Sequence, residues 1–140
     1  MSYLTKLSQS PRLITLVACS AMLATIPIDA AFARPTSPST YQNSCRNIRV
    51  SGDILTASCR RINGTFNLTS IRIRGIENID GKLRYTGRST APSTYQNSCP
   101  SIGVAGATLS ASCRRINGTF NPTSIRIRGI ENINGVLKYS

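Results

Sequence analysis

The sequence has no histidine and few acidic side chains: 5 Asp and Glu stand against 17 Lys and Arg, for a net charge of +12. General acid and base catalysis needs groups that titrate near neutral pH, and histidine is the usual one. Beyond residue 33 the only carboxylate side chains are Asp53, Glu77, Asp80 and Glu131. Calcium needs several converging carboxylates, and zinc sites are typically built from histidine or Cys-x-x-Cys motifs. We therefore expect a protein that is not an enzyme and that uses neither metal nor cofactor.

The sequence also lacks an apolar run of the roughly 20 residues that a membrane-spanning helix needs. The longest run, residues 13–26, follows two basic residues and precedes the small-residue sequence Ala31-Phe32-Ala33. This order is typical of a signal peptide, here residues 1–33 with cleavage near Ala33. We expect a secreted or periplasmic protein with no stable membrane insertion after processing. Lipoprotein processing at Cys19 is the alternative interpretation.

The remainder of the chain is a tandem repeat with an offset of 54 residues. Aligning residues 39–85, the first repeat, with residues 93–139, the second repeat, gives 36 identities in 47 positions. A copy of under about 50 residues buries too little surface to be stable alone, so the two should fold together. Residues 34–40 are expected to form a loose leader, residues 86–92 a polar linker, and residues 41–140 one domain.

Four cysteines follow the expected signal peptide, one pair in each repeat at identical spacing. In an exported chain this arrangement is typical of a disulfide framework, and four cysteines allow three connectivities. The duplication favours Cys45–Cys59 and Cys99–Cys113, because the same local geometry would then be used twice.

Apolar and charged side chains alternate with a period of two, as in half-buried antiparallel strands. In the first repeat Leu55 falls on the apolar face and Arg72 on the charged face. Asn63-Gly64 predicts a two-residue hairpin turn, and Asp80-Gly81 predicts another tight turn. Residues 75–78 lack the alternation and predict a bend or a single 3₁₀ turn. No segment has sustained helical periodicity, so the pattern predicts an all-β fold.

The six aromatic residues beyond the signal peptide form three repeat-equivalent pairs. They are Tyr41, Phe66, Tyr85, Tyr95, Phe120 and Tyr139. Their position in the strand alternation favours core packing over stacking against a sugar.

The order of these motifs resembles the cyanovirin-N homology family of lectins. The resemblance rests on Cys-x13-Cys, an Asn-Gly hairpin, Thr-Ser-Ile-x-Ile and the ending Glu-Asn-Ile-(Asp/Asn)-Gly-x-Leu-x-Tyr, each present twice within residues 41–139. It implies a pseudo-twofold cyanovirin-N-like fold of two triple-stranded antiparallel sheets and two hairpins, in which each half is assembled from both repeats. It also implies two quasi-equivalent, metal-independent sites for high-mannose or related glycans. The oligomeric state it implies is a monomer or a domain-swapped dimer.

The resemblance places one carbohydrate site in each half. The first site combines Thr40, Asn43, Ser44, Arg60 and Ile62 with Asn132, Ile133 and Asn134. The second site combines Glu77, Asn78 and Asp80 with Thr94, Asn97, Ser98, Arg114, Arg115 and Ile116. Short polar side chains suit a sugar, whose hydroxyls need both donors and acceptors. Structural roles are the alternative: Asn43 and Asn97 would cap the strand entry, and Glu77 would bond local backbone amides.

The first site departs from the family pattern at three positions. Arg60 and Ile62 stand where the well-studied member has an acidic residue and a threonine, and Asn134 stands where the pattern has Asp. Losing a hydrogen-bond partner inside a sugar site costs about 1 to 3 kcal/mol. We therefore expect the second site to retain mannose contacts better than the first.

Clustered arginines indicate an alternative function. The clusters are Arg60-Arg61 with Arg72 and Arg74 in the first repeat, and Arg114-Arg115 with Arg126 and Arg128 in the second. Their field would attract an anionic polysaccharide, a nucleic acid or a membrane surface, although export argues against nucleic acid. The alternative is therefore a cationic binder of polyanions. Binding that is lost at moderate salt would indicate this function, whereas competition by free oligomannose would indicate the lectin.

Overall fold

A computed structural model describes residues 37–87 and 91–139 of the chain. The expected signal peptide with Cys19, the start of the expected leader and the middle of the linker lie outside the described residues. The described residues form ten strands and two 3₁₀ turns, Tyr41–Asn43 and Tyr95–Asn97. The strands are β1 (Cys45–Ser51), β2 (Ile54–Arg60), β3 (Phe66–Arg72), β4 (Ile76–Ile79), β5 (Lys82–Tyr85), β6 (Gly103–Ala105), β7 (Thr108–Arg114), β8 (Phe120–Arg126), β9 (Ile130–Ile133) and β10 (Val136–Tyr139).

Each repeat folds into a three-stranded antiparallel sheet followed by a two-stranded hairpin. Strands β1, β2 and β3 form the first sheet, and strands β6, β7 and β8 form the second. The hairpins pair β4 with β5 and β9 with β10. These pairings confirm the all-β prediction and the two triple-stranded sheets and two hairpins that the resemblance implies. No helix of the described residues is long and apolar enough to cross a membrane.

The two repeats interlock, because the hairpin of each repeat packs against the sheet of the other. The Asn67 side-chain amide on β3 donates to the Gly135 carbonyl at 2.8 Å, and the Leu137 amide on β10 donates to the Thr69 hydroxyl at 3.2 Å. Equivalent hydrogen bonds join β8 to the β4–β5 hairpin. We call the first sheet with the β9–β10 hairpin the first half, and the second sheet with the β4–β5 hairpin the second half.

Two tyrosines fasten the repeats to each other through the core. Tyr41 and Tyr95 are fully buried, and a buried tyrosine needs a partner for its hydroxyl. The Tyr41 hydroxyl donates to the Gly106 carbonyl and the Tyr95 hydroxyl donates to the Gly52 carbonyl, each at 2.6 Å. Each tyrosine therefore reaches a turn of the opposite repeat.

Both expected disulfides, Cys45–Cys59 and Cys99–Cys113, are present.

The prediction that the aromatic residues belong to the core is wrong for both phenylalanines. Phe66 is 37% exposed and Phe120 is 51% exposed. Phe66 lies opposite Arg60 in the β2–β3 register, on the face of the sheet that points away from the buried Cys59. The same parity places Phe120 beside Arg114 on the second sheet. Each sheet thus carries an aromatic ring on its outer face.

Residues 37–40, which the sequence predicts as part of a loose leader, are instead held against the β9–β10 hairpin. The Thr40 amide donates to the Ile130 carbonyl at 3.0 Å. Ser39 is buried, and its hydroxyl accepts from the Ile130 amide at 3.0 Å. These bonds give the first residue of β9 its backbone partners, so the folded unit includes residues 37–40.

Two turn predictions also need correction. Residues 61–65 join β2 to β3, rather than a two-residue Asn63-Gly64 turn. The Arg61 amide donates to the Thr65 carbonyl, the Gly64 amide donates to the Arg61 carbonyl, and Gly64 alone in this loop has a positive φ, +89°. Most of residues 75–78, expected to form a bend or a 3₁₀ turn, belong to strand β4. The strand forms because Asp80 and Gly81 both adopt positive φ and close a tight two-residue hairpin with β5.

Candidate functional site

One asparagine from each hairpin organises the site in its half of the molecule. In the first half, the Asn132 amide nitrogen donates to the Ser44 hydroxyl and to the Arg60 carbonyl, both at 2.9 Å. Its side-chain oxygen accepts from the Gly135 amide at 2.7 Å. Asn78 makes the same three bonds in the second half, to Ser98, Arg114 and Gly81. Both asparagines therefore build the clefts and have no amide hydrogen left for a ligand.

The turn residue of each hairpin closes the cleft on its other side. Asp80 accepts a hydrogen bond from the Ile116 amide through Oδ1, and Asn134 accepts one from the Ile62 amide in the same way, each at 2.9 Å. Both residues adopt positive φ, which Asp and Asn tolerate better than most side chains. The remaining oxygen of Asp80 can accept a further bond, whereas the Asn134 side-chain nitrogen can only donate. The two clefts therefore differ in chemistry at this one position.

The 3₁₀ turns contribute the groups that remain available. In the second half the Asn97 amide donates to the Thr94 carbonyl, and the Arg114 amide donates to the Ser98 carbonyl. These bonds use only backbone groups. The exposed side chains of Thr94, Asn97 and Arg114 make no hydrogen bond inside the described residues. Asn97 therefore does not cap the strand entry through its side chain. In the first half, the side chains of Thr40, Asn43 and Arg60 are likewise exposed and make no hydrogen bond inside the described residues.

The structure thus brings together most of the residues named for each site. In the first half, Thr40, Asn43, Ser44, Arg60, Ile62, Asn132 and Asn134 are joined by short hydrogen bonds or chain adjacency, and Ile133 lies beside them with 49% of its surface exposed. In the second half, the same holds for Asn78, Asp80, Thr94, Asn97, Ser98, Arg114 and Ile116. Each cleft combines residues of both repeats.

Arg115, which is named for the second site, is engaged inside its own hairpin. The Arg115 guanidinium donates to the Asn121 side chain at 2.7 Å and to the Thr119 hydroxyl at 3.2 Å, so it stabilises its own hairpin. Glu77 lies opposite Arg84 in the β4–β5 register. Its carboxylate accepts no hydrogen bond from the described residues, so it does not bond local backbone amides, and its assignment to the second site stays a prediction.

A groove that the sequence reasoning missed lies beside the second site. Its volume is about 340 Å³, and it is lined by residues 96–100 together with Arg114 and Phe120. One sequence signal marks it, because Pro100 aligns with Arg46 of the first repeat and the two side chains differ in reach. Among the described residues, no cluster of three or more Cys, Asp or Glu side chains is placed to hold a metal ion.

Comparison with known proteins places this geometry in context. The family model of the CVNH domain matches residues 41–138. The solved MoCVNH3 variant (Mo0v), in complex with (N-GlcNAc)4, matches with a TM-score of 0.63 and 18% identity, over 75% of this chain and 99% of its own. TbCVNH from T. borchii matches with a TM-score of 0.61 and 23% identity, over 72% and 99%. Microvirin, in complex with mannobiose, matches with a TM-score of 0.55 and 23% identity, over 73% and 99%.

Proposed function

The chain belongs to the CVNH domain family, whose members are carbohydrate-binding lectins and not enzymes, and from this premise we propose that it is a secreted lectin for mannose-rich glycans. The observation that carries the proposal is the pair of clefts built across the repeats. Each cleft presents an exposed threonine, asparagine and arginine whose side chains make no hydrogen bond within the described residues. Sugar hydroxyls need donors and acceptors arranged in this way. The mannobiose complex of microvirin supports mannose as the sugar.

The second site is the stronger one in this proposal. Asp80 offers a carboxylate oxygen in the half of the molecule that also presents Thr94 and Asn97, and a charged acceptor bonds a sugar hydroxyl more strongly than a neutral one. The first site has Asn134 at this position, which offers a donor instead. Both sites act without metal, because their side-chain and backbone groups bond the hydroxyls directly.

A glycan array tests the proposal, with calorimetry on the glycans it identifies. We expect binding to neutral oligomannosides that persists between about 50 and 200 mM salt, since the contacts are hydrogen bonds rather than screened charges. Free oligomannose should compete. Asn97→Ala should remove the stronger of two binding events, which belongs to the second site. Asn43→Ala should remove the weaker one, which belongs to the first site. The absence of binding to every neutral sugar on the array would contradict the proposal.

Secretion rests on the signal-like residues 1–33 and is supported by the two disulfides, which form and persist in oxidising compartments. Expression in a host with an export pathway, followed by mass measurement of the exported chain, tests it. The expected mass corresponds to cleavage near Ala33. A lipid-modified chain beginning at Cys19 would show that the protein is anchored instead.

Binding of anionic polysaccharides is a second candidate function, favoured by a charge difference between the two sheets. The outer face of the first sheet carries Arg46, Arg49, Arg60 and Arg72, and within residues 37–87 and 91–139 only Arg72 is paired with a carboxylate, that of Asp53 at 3.0 Å. Pro100 and Gly103 replace the first two arginines on the second sheet. Such a face attracts polyanions at low salt.

Heparin serves as the probe for this second function. Arg46→Glu with Arg49→Glu should abolish heparin binding at about 50 mM salt, and wild-type binding should weaken as salt screens the charges. Pro100→Arg with Gly103→Arg is the matched variant and should add heparin binding to the second sheet. The Gly103→Arg side chain can be introduced without a clash, because a Cβ there meets nothing within 4 Å. Heparin binding that neither pair changes would exclude this face as its site.

A further inference from the structure

The groove beside the second site has an aromatic residue, Phe120, in its lining. Phe120 lies on the outer face of the second sheet, 51% exposed, and Arg114 is its cross-strand partner in the β7–β8 register. Pro100 lines the groove from β6's side, and Asn97 and Ser98 border it from the 3₁₀ turn. Asn97, Ser98 and Arg114 are also members of the second site. The groove and the second site are therefore contiguous.

The corresponding place in the first half is occupied by an arginine side chain. The Arg46 guanidinium carbon lies 3.7 Å from the centre of the Phe66 ring, a cation–π stack. Phe66 is accordingly less exposed than Phe120, 37% against 51%. Proline has no side chain that could reach across Phe120, so Pro100 leaves the ring uncovered. One difference between the repeats, Arg46 against Pro100, thus covers the ring in the first half and leaves it more exposed in the second.

An exposed aromatic ring among polar groups matches the surface of a sugar ring. One side of a pyranose presents C–H groups, which pack on the negative face of an aromatic ring, while its edge presents hydroxyls. The groove offers both kinds of partner. Phe120 is the apolar surface, and the side chains of Asn97 and Arg114, which make no hydrogen bond inside the described residues, lie at its border. Ligand sites typically combine aromatic walls with a few polar groups in this way.

We propose that Phe120 and Pro100 form an additional subsite, which takes the pyranose next to the one held at the second site. This proposal rests on the proposed lectin function, because the two subsites share Asn97, Ser98 and Arg114. It assigns the second half a preference for oligosaccharides longer than a disaccharide. The first half lacks this preference, because Arg46 occupies the equivalent space.

The outer face of the second sheet continues away from Phe120 as a shallow trough. The trough has a volume of about 470 Å³, and its lining includes Ser110, Ser112, Pro122 and Ser124. Pro122 follows Phe120 on the same face of β8, two residues along. Hydroxyls along this trough suit further sugar residues, whereas the first sheet has the exposed Leu68 at the position of Pro122.

Calorimetric titration with α-linked mannobiose and with a linear mannotetraose tests the subsite. Phe120→Ala removes the ring, and Pro100→Arg covers it as Arg46 covers Phe66. Both variants should weaken mannotetraose binding about three- to tenfold, the range expected for one aromatic contact, and leave mannobiose binding unchanged. Phe66→Ala is the matched control and should change neither. Arg46→Ala should strengthen tetraose binding in the first half.

Each outcome is informative. If wild-type protein binds both probes and Phe120→Ala changes neither affinity, the subsite is wrong while the lectin function stands. If Phe120→Ala weakens both probes equally, Phe120 belongs to the disaccharide site, and a separate subsite is excluded. If wild-type protein binds neither probe, the mannose function fails, and the inference fails with it. Denaturant unfolding of every variant confirms that the fold is intact, since Phe120 and Pro100 are exposed.

Discussion

Tyr41 and Tyr95 each donate to a glycine carbonyl of the opposite repeat at 2.6 Å, and Asn78 and Asn132 hold their clefts through bonds of 2.9, 2.9 and 2.7 Å in both halves. The two halves therefore share these contacts, whereas the ion pair of Arg72 with the buried Asp53 belongs to the first half alone, because Ala107 stands at the position of Asp53. Their outer faces differ, because the first sheet carries arginines where the second carries proline and glycine. This comparison separates residues that join the repeats from residues that choose a ligand.

The differences between the repeats fall mainly on exposed positions. Of the 47 aligned positions, 36 are identical. The main differences on the outer sheet faces are Arg46 against Pro100, Arg49 against Gly103, and Leu68 against Pro122, and Asp80 against Asn134 lies at the cleft. Changes at the shared contacts should therefore cost the two halves the same stability, while changes at the surface should affect one half only.

The largest expected effect concerns the glycines of the two hairpin turns. A Cβ added at Gly81 would lie 2.7 Å from Arg115 Cγ, and one added at Gly135 would lie 2.7 Å from Arg61 Cγ. Both glycines also have positive φ, near +87°. We expect Gly81→Ala and Gly135→Ala each to lower the free energy of unfolding by about 3 kcal/mol, through strain and overpacking together. Urea denaturation measures both values.

Gly64→Ala is the control for this pair. Gly64 has a φ of +89°, but no atom lies within 4 Å of an added Cβ. Its substitution should therefore cost only the backbone strain, about 1 kcal/mol. A loss at Gly81 no greater than that at Gly64 would contradict the packing argument, and clearly unequal losses at Gly81 and Gly135 would contradict the shared framework.

The cleft asparagines come next in expected effect. Asn78→Ala and Asn132→Ala each remove three hydrogen bonds between a hairpin and the opposite sheet. Because these bonds are only partly buried, we expect a loss of about 2 kcal/mol in each half. Asn97→Ala serves as the control and should change stability by less than about 0.5 kcal/mol, since its side chain bonds nothing within the described residues. A large loss with Asn97→Ala would show that it is structural after all.

Because its tyrosines are buried in the core, we expect the protein to lose stability at alkaline pH. Burial raises the pKa of the Tyr41 and Tyr95 phenols well above the ordinary value of 10.0, and burial raises the pKa of Tyr139 to about 12. Folding therefore keeps these phenols protonated, and their contribution is fully present below pH 10. It is lost as the pH rises from 10 toward 12, by about 1.4 kcal/mol per pH unit for each tyrosine.

Tyr41→Phe and Tyr95→Phe test this assignment. At neutral pH each variant should lose about 1 to 1.5 kcal/mol, because a glycine carbonyl loses its hydrogen-bond partner. Above pH 10 each should lose stability less steeply than wild type, because one titrating phenol is gone. Denaturation at pH 7, 10 and 11 measures both effects. An unchanged alkaline slope would show that the buried hydroxyls do not control it.

Local sequence patterns predicted the strands, the disulfides and the Asp80-Gly81 turn. Period-two alternation and equal cysteine spacing are local properties, so they can be read without the fold. The partner of each hairpin is not local, because an alternating strand shows which side is apolar but not which sheet will cover it. That information came from the family resemblance, and the Asn67 bond to Gly135 confirms it.

The candidate site was predicted less completely, for a related reason. A basic residue in a sequence carries no sign of where its side chain points. The resemblance places Arg115 in the site, yet its guanidinium bonds Asn121. No sequence pattern predicts that Arg46 covers Phe66. Residues 37–40 were expected to be loose because proline and serine are common in linkers, yet the hairpin they cover lies about 90 residues away. Such contacts exist only once the repeats interlock.

Exchange of the one differing cleft residue is the finest test of the comparison. Asp80 and Asn134 make the same bond to a backbone amide, so Asp80→Asn and Asn134→Asp should change stability by less than about 0.5 kcal/mol. Their effect on mannobiose binding should be larger, about 1 kcal/mol or fivefold, because a second carboxylate oxygen is lost or gained. Asp80→Asn should weaken the second site, and Asn134→Asp should strengthen the first. Calorimetry on the single and double exchanges separates the sites, since the double exchange should restore two unequal affinities with the halves reversed. If neither exchange alters binding, the carboxylate does not distinguish the two sites, and any difference between them lies outside the clefts, where Arg46 and Pro100 are the next pair to exchange.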